Sequence, residues 1–254
     1  MTRIDRYGVG LSDIGRRRMS NEDAFVIDDD MGLYVVADGM GGHAAGEIAS
    51  REAVEQISSM VRRDYDRVEK FIHEGPTASN VRAVQRLVES AIQMATYMVF
   101  AIAENDPNQK GMGTTVSVLL LMGRHAVLGQ VGDSRIYLVR SDHAYQLTED
   151  HTLVAWQLKQ GIISEAEAAL SPHKNVITRA VGSRDYVQVD TQTLEIGPGD
   201  RFLLCSDGLH GYVEREELPE ILGLDLDTAV PRLIDLANAR GGRDNITAVA
   251  VELK

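Results

Sequence analysis

The sequence predicts a layered α+β domain in which antiparallel sheets are covered by helices. Three patterns carry that prediction. Short runs rich in Val, Ile, Tyr and Leu fill both ends of the chain. Two long stretches between them repeat apolar residues at helical spacing. The strand-like runs in the middle are separated by breaks short enough for hairpins and too short for parallel crossovers.

Element by element, "YGVGLSDIG", "DAFVID" and "GLYVVAD" read as strands. From His43 the period changes. Ile48, Val54, Ile57 and Val61 mark one helix, and Val81, Val84, Val88, Ala91, Ala95, Met98 and Ile102 mark a longer one. "TTVSVLLLM", "AVLGQVG", "RIYLVR" and "AYQLT", broken by "GRH", "DS" and "SDH", predict an antiparallel meander. "HTLVAWQLKQG" is helical in pattern, and Ser164 and Glu167 have capping-box spacing. Residues 151–183 interrupt the strand pattern and are expected to form an inserted flap, with Leu153, Trp156 and Leu158 packing it onto the body. "VQVDTQTLEIG" and "DRFLLCSDG" resume strands across a Pro198-Gly199 turn, and two short helices and "NITAVAVEL" close the chain. No repeat, low-complexity tract or linker divides it, so residues 1–254 are expected to be one domain.

Composition narrows the function. With 254 residues, 44% of them hydrophobic, the chain can bury a sizeable core. No stretch approaches the roughly 20 apolar residues of a membrane span, and "MTRIDRYGVG" lacks a signal-peptide apolar region. A single cysteine excludes an internal disulfide and fits a cytoplasmic protein. A net charge of −12 argues against nucleic acid or anionic lipid as partner. The excess acid either serves solubility or includes metal ligands whose charge the ions offset.

Acids recur where strand-like runs meet turns: Glu22 and Asp23, Asp38, Asp133, Asp207 and Asp244. Any one of them is explained by the liking of Asp for turns. Asp38 and Asp207 stand apart, because each follows a long apolar run ("LYVVAD", "FLLCSD") and precedes a glycine. A carboxylate at the end of a buried strand is costly without a positive partner, and few Lys or Arg lie nearby. A cation is the economical partner. The donors are hard oxygens, and no Cys/His pair has zinc spacing, which suits Mg²⁺ or Mn²⁺. Gly39 leaves the backbone carbonyl beside Asp38 unobstructed, so the turn itself could donate an oxygen.

"RMSNEDA", "VADGMGGHAAGE", "GMGTT", "GDSRIYL", "LTEDHTLV", "ITRAVG", "CSDGL" and "RDNIT" occur in an order that resembles the bacterial PPM-type (type 2C) protein phosphatases over nearly the whole chain. The resemblance implies a four-layer αββα sandwich of two antiparallel sheets flanked by helices, with metals in a cleft at one edge. It implies that Asp38 bridges two Mn²⁺ or Mg²⁺ ions, that the Gly39 carbonyl, Asp207 and Asp244 complete the ligands, and that Glu22 and Asp23 act through water. Asp133, with Asp207, matches the ligand of a third, weaker ion. Arg18 matches a phosphate-binding arginine, for which a planar guanidinium is suited; Arg16, Arg17 and Arg18 can also be read as a solvated charge run. The implied reaction is attack of a metal-activated water on phosphoserine or phosphothreonine, which needs no protein nucleophile. The implied partners are phosphorylated proteins and a Ser/Thr protein kinase pathway, and a monomer is expected.

One departure concerns the proton donor. Some members carry a histidine directly after the DG pair, whereas here Met40 stands there and His43 lies further on. His43 is a candidate general acid or simply a polar residue of the first helical turn. Cys205 is rejected as a nucleophile, because cysteine phosphatases need an arginine six residues on and Gly211 occupies that place. Lys174 and Arg179 in the expected flap could meet substrate or serve structure. Two rivals remain at this stage: a catalytically inactive phosphoprotein-binding module on the same fold, and a small-molecule phosphatase.

Overall fold

The computed structural model describes residues 4–41 and 45–254, and His43 lies outside them. Strands β1 (Arg6–Asp13), β2 (Asp23–Asp28) and β3 (Leu33–Met40) precede helices α1 (Ala45–Arg63), α2 (Asp66–Glu74) and α3 (Ala78–Asn105). Strands β4 (Gly113–Thr114), β5 (Val116–Met122), β6 (His125–Val131), β7 (Arg135–Arg140) and β8 (His143–Gln146) follow. Helices α4 (Leu153–Lys159) and α5 (Glu165–Leu170) come before β9 (Asp190–Glu195) and β10 (Arg201–Cys205). Helices α6 (Asp207–His210), α7 (Leu218–Leu222) and α8 (Leu226–Ala239) lead to β11 (Ile246–Leu253).

The strands form two antiparallel sheets. One has the order β1-β11-β10-β7-β8; the other runs β2-β3-β5-β6-β9, with β4 added to β3. Side chains alternate between faces, so each central strand feeds two cores. Leu33, Val35 and Ala37 pack with Ile57 and Val61 of α1 and with Val84, Val88, Ala91 and Ala95 of α3. Tyr34 and Val36 point the other way and meet Leu119, Leu121, Phe202, Leu204, Val249 and Val251 between the sheets. Leu203, Cys205, Ala248 and Ala250 face the third core, built with Leu222, Leu233 and Ile234 of α7 and α8. The result is the αββα sandwich. Side-chain caps set the helix starts: Thr77 accepts from Asn80 N at α3, Asp225 from Thr228 N at α8, and Ser164 and Glu167 form the expected capping box at α5.

Several elements differ from expectation. Strand β3 does not stop at Asp38 but continues through Gly39 to Met40, because the two-residue β4 supplies partners (Gly39↔Thr114, Met40↔Gly113). Asp38 and Gly39 therefore lie within a strand and not in a turn. The central strands are not one meander: β5–β6 and β7–β8 are hairpins in different sheets, and the "DS" break carries the chain between them. Gly132 enters that crossing at φ +100°, where a Cβ would strike Thr115. Helix α2 is an element the sequence pattern does not predict, α8 is 14 residues long, and β9 begins only at Asp190. Trp156 and Leu158 are exposed at 52% and 39%, and α4 buries Val154 instead. A helix of two turns offers one narrow inward face, too narrow for both. Finally, α3 has the length and composition of a membrane span, contrary to expectation; its apolar stripe packs on the sheet and α1.

Candidate active site

A cavity of about 550 Å³ brings together Arg18, Glu22, Asp38, Gly39, Asp133, Asp207 and Asp244. Asp23 stands beside it as the cross-strand partner of Asp38. The acids thus come from the ends of both sheets, delivered by β2, β3, the β6–β7 crossing, α6 and the loop before β11.

Each is fixed by its local backbone. Asp38 N donates to Thr115 Oγ1 at 3.0 Å, and Asp38 O accepts from Thr115 N at 2.9 Å and Thr114 Oγ1 at 2.9 Å. Gly39 N donates to Glu22 O at 3.0 Å, and a Cβ on Gly39 would come within 2.1 Å of Gly46 O. Only glycine permits the start of α1 to approach β3 so closely. Asp23 Oδ2 accepts from Thr247 Oγ1 at 2.6 Å and Ser206 Oγ at 2.8 Å, which ties β2 to the other sheet. Asn245 accepts from Glu22 N at 2.8 Å and donates to Ile14 O and Ser20 O, so it anchors the loop carrying Arg18.

Electrostatically the cavity is unbalanced. Burial, then the carboxylates of Asp23, Asp207, Asp133 and Asp244, push the Asp38 carboxyl well above the usual range. Burial, then Asp244, pushes Asp207 up to about 6. Burial likewise takes Asp23 up to about 6 against the hydrogen bonds from Thr247 and Ser206, and burial plus Asp207 takes Asp133 up to about 7. Burial also raises Glu22, with Arg18 opposing. Asp23 Oδ1 is buried with no hydrogen-bond partner. Crowded carboxylates and an orphaned buried oxygen, with neither Cys nor His lining the cavity among the described residues, fit a hard divalent cation. Among the described residues no three acid, Cys or His side chains yet stand in ligand geometry around one point. Asp244 gives one reason: its Oδ2 is held by Arg18 at 2.7 Å and its Oδ1 accepts from Asn245 N at 2.8 Å.

Two histidines that the sequence did not single out hold the Asp133 bend. His151 Nδ1 accepts from Gly132 N at 3.1 Å, and His210 Nε2 donates to the Asp133 carbonyl at 2.9 Å. A backbone N–H can only donate, so His151 is neutral with its proton on Nε2, which lies 3.0 Å from Asp190 Oδ2. Desolvation pushes His210 down to about 4, keeping it neutral as well. Gln130 Nε2 adds bonds to Gly132 O and Ser134 O. The available signal was weak: His210 sits three residues after Asp207, and His151 follows an acid pair. Of Lys174 and Arg179, Arg179 is tied to Asp190 at 2.8 Å. Burial pushes the Cys205 thiol up to about 12, which removes it as a nucleophile near neutral pH.

Two sheets between helix layers, with acids from both gathered at one cleft, define the PPM-type class of metal-dependent phosphatase. The protein phosphatase 2C family profile matches residues 12–238, and the chain belongs to that family. It is 37% identical over 246 residues to the serine/threonine phosphatase stp of Listeria innocua, covering 95% of this chain and 93% of that one. The crystal structure of the Mycobacterium tuberculosis serine/threonine phosphatase PstP/Ppp superposes with a TM-score of 0.85 at 33% identity, covering 99% of both chains. The PstP catalytic domain in complex with two manganese ions gives a TM-score of 0.83 at 32% identity, covering 98% of this chain and 99% of that one.

Proposed function

We propose that this chain hydrolyses phosphoserine and phosphothreonine on proteins in the bacterial cytoplasm, as a monomer that opposes a Ser/Thr protein kinase. One observation carries the reading most of the way: Asp38, Asp133, Asp207 and Asp244 share a cavity in which Arg18 is the one Lys or Arg among the described residues.

Two manganese or magnesium ions would be held by Asp38, the Gly39 carbonyl, Asp207 and Asp244, with Glu22 and Asp23 acting through water and Asp133 with Asp207 taking a third. When bound, such ions activate water and offset the negative charge of the phosphate. The residues of the chain then have separable tasks. Arg18, 47% exposed at its side chain, exchanges Asp244 for two phosphate oxygens. That exchange also frees Asp244 Oδ2. The hydrogen bonds on Asp23 Oδ2 and on the Asp133 bend hold these acids in place, and Asp23 Oδ1 is left without a partner. Water oxygen bonds to phosphorus and releases a proton to solvent, while the bond from phosphorus to the seryl or threonyl oxygen breaks and that oxygen takes up a proton, for which His43 is the candidate donor. Residues 151–183 act as a flap, since Asn175 and Ile177 line the same cavity.

The test is hydrolysis of para-nitrophenyl phosphate and of a phosphothreonine peptide with Mn²⁺ and with chelator. Turnover that requires Mn²⁺ is expected for both substrates. Equal turnover in chelator contradicts the proposal.

A further inference from the structure

The acidic cavity does not end at the acids. A second cavity of about 500 Å³ abuts it, and the two share Asp133, Asn175, Asp207 and Asp244 as a common wall. Its remaining lining includes Val154, Ala155, Leu158 and Tyr212, an apolar surface on which peptide backbone and side-chain stems can rest. Three cations border it: Arg135, Lys174 and Arg243.

Arg135 is spent. Its fork holds both oxygens of Asp150 at 2.9 and 2.7 Å and also donates to Tyr137 Oη at 2.9 Å. The neighbouring cations are spent too: Arg18 on Asp244, Arg179 on Asp190, Lys159 on Glu149 and Arg240 on Glu217. Lys174 and Arg243 differ, since neither side chain has an ion pair or hydrogen bond among the described residues. They also come from different parts of the chain. Lys174 lies in the segment between α5 and β9, and Arg243 lies in the loop after α8, next to Asp244. A chain lying in this cavity with its phosphorylated residue among the acids would pass between them.

From this geometry we infer that the second cavity is a specificity subsite, in which Lys174 and Arg243 select substrates carrying a carboxylate side chain beside the phosphorylated residue. The inference rests on the proposed phosphatase function and names a class of its substrates, acidic phosphopeptides. A carboxylate suits the site better than a second phosphate. The aspartate wall of the cavity repels a dianion more than a single charge. A solvated pair of surface charges is the plain alternative, and it predicts no selectivity.

The experiment compares three peptides around one phosphothreonine, with Glu, Gln or Lys at the flanking positions on each side in turn. It reads kcat/KM with Mn²⁺ and, separately, binding of the labelled peptides by fluorescence anisotropy. The Glu peptide should be preferred over the Gln peptide by roughly two- to fivefold per cation engaged, chiefly through KM. The preference should shrink as salt is raised. Lys174→Glu and Arg243→Glu should each reverse the order, so that the Lys peptide binds best. Both residues are exposed, so melting temperatures near the parent's are expected for the variants. Identical peptide ratios in the parent and both charge-reversal variants overturn the inference. If the parent hydrolyses para-nitrophenyl phosphate but ignores flanking charge, the subsite falls alone. If it hydrolyses nothing, the anisotropy ratios still decide the charge preference while the phosphatase reading falls.

Discussion

Strand β10 has an aspartate withdrawn from bulk solvent near each end, and the two are treated in opposite ways. Asp200, 4% exposed, precedes the strand and is gripped by Arg140, with Nε and Nη2 each 2.7 Å from a carboxylate oxygen and Gly197 N donating at 2.8 Å. Asp207 follows the strand and meets Asp38, Asp133 and Asp244 across a shared cavity. The fold therefore has an ordinary way to bury an acid and uses it at one end only. At the other end the charge is left for something outside the chain to balance. A local rule broken beside a place where the same rule is obeyed marks function better than burial alone does.

The contrast is sharpened most by Asp38→Asn. Removing a residue that only orients a metal ligand typically costs roughly 10–100-fold, so loss of a ligand should lower kcat by more than about 100-fold in the para-nitrophenyl phosphate assay, with the fold intact by circular dichroism. Arg140→Ala should do the reverse. Leaving Asp200 unpaired should cost about 2–3 kcal/mol, less than for a fully buried pair because Arg140 is half-exposed. That would appear as a lower Tm, by about 2–4 °C per kcal/mol in a chain of this size, with kcat per folded molecule unchanged. Kinetic loss in Arg140→Ala as large as in Asp38→Asn would break the comparison.

A smaller effect is expected at the Asp133 bend. His210→Ala should weaken the least tightly held ion by about tenfold, read as a shifted Mn²⁺ titration, with His210→Asn partly restoring it through its own donor.

The smallest effect is a pH dependence in chelator. Asp23, Asp207 and Asp133, raised to about 6, 6 and 7, bind protons in the folded state that the unfolded chain has released. Their contribution to stability is present below about pH 4 and is lost as pH rises through 6 and 7. His210, lowered to about 4, acts in the opposite sense between 4 and 6.5, so the difference between two variants is the clean observable. The Tm of Asp38→Asn should match the parent's near pH 5 and exceed it by a few degrees at pH 8. A parent that is the more stable of the two at pH 8 would count against the crowded-acid account.

Much of this arrangement was legible in the sequence because each acid is announced by its neighbours. Asp38 and Asp207 follow apolar runs that read as buried strands, and strand-like runs at both ends with two long helical stripes between them point to the layered class. What stayed hidden depended on distant partners. The two-residue β4 is too short and glycine-rich to register as a strand, yet it alone extends β3 past Asp38. The change of sheet at Asp133 uses the same short break as a hairpin, and only the pairing of β6 with β9 and of β7 with β10 distinguishes them. His210 and His151 act through single backbone contacts, which leave no periodic trace. Trp156 misled because size suggests burial, while exposure was decided by the one inward face of α4.

Isothermal titration calorimetry of chelator-treated protein with MnCl₂ tests the central claim most directly. At least two ions per chain should bind to the parent and to Arg140→Ala, with the stoichiometry reduced in Asp38→Asn. A parent that is folded and takes up no manganese would contradict the account.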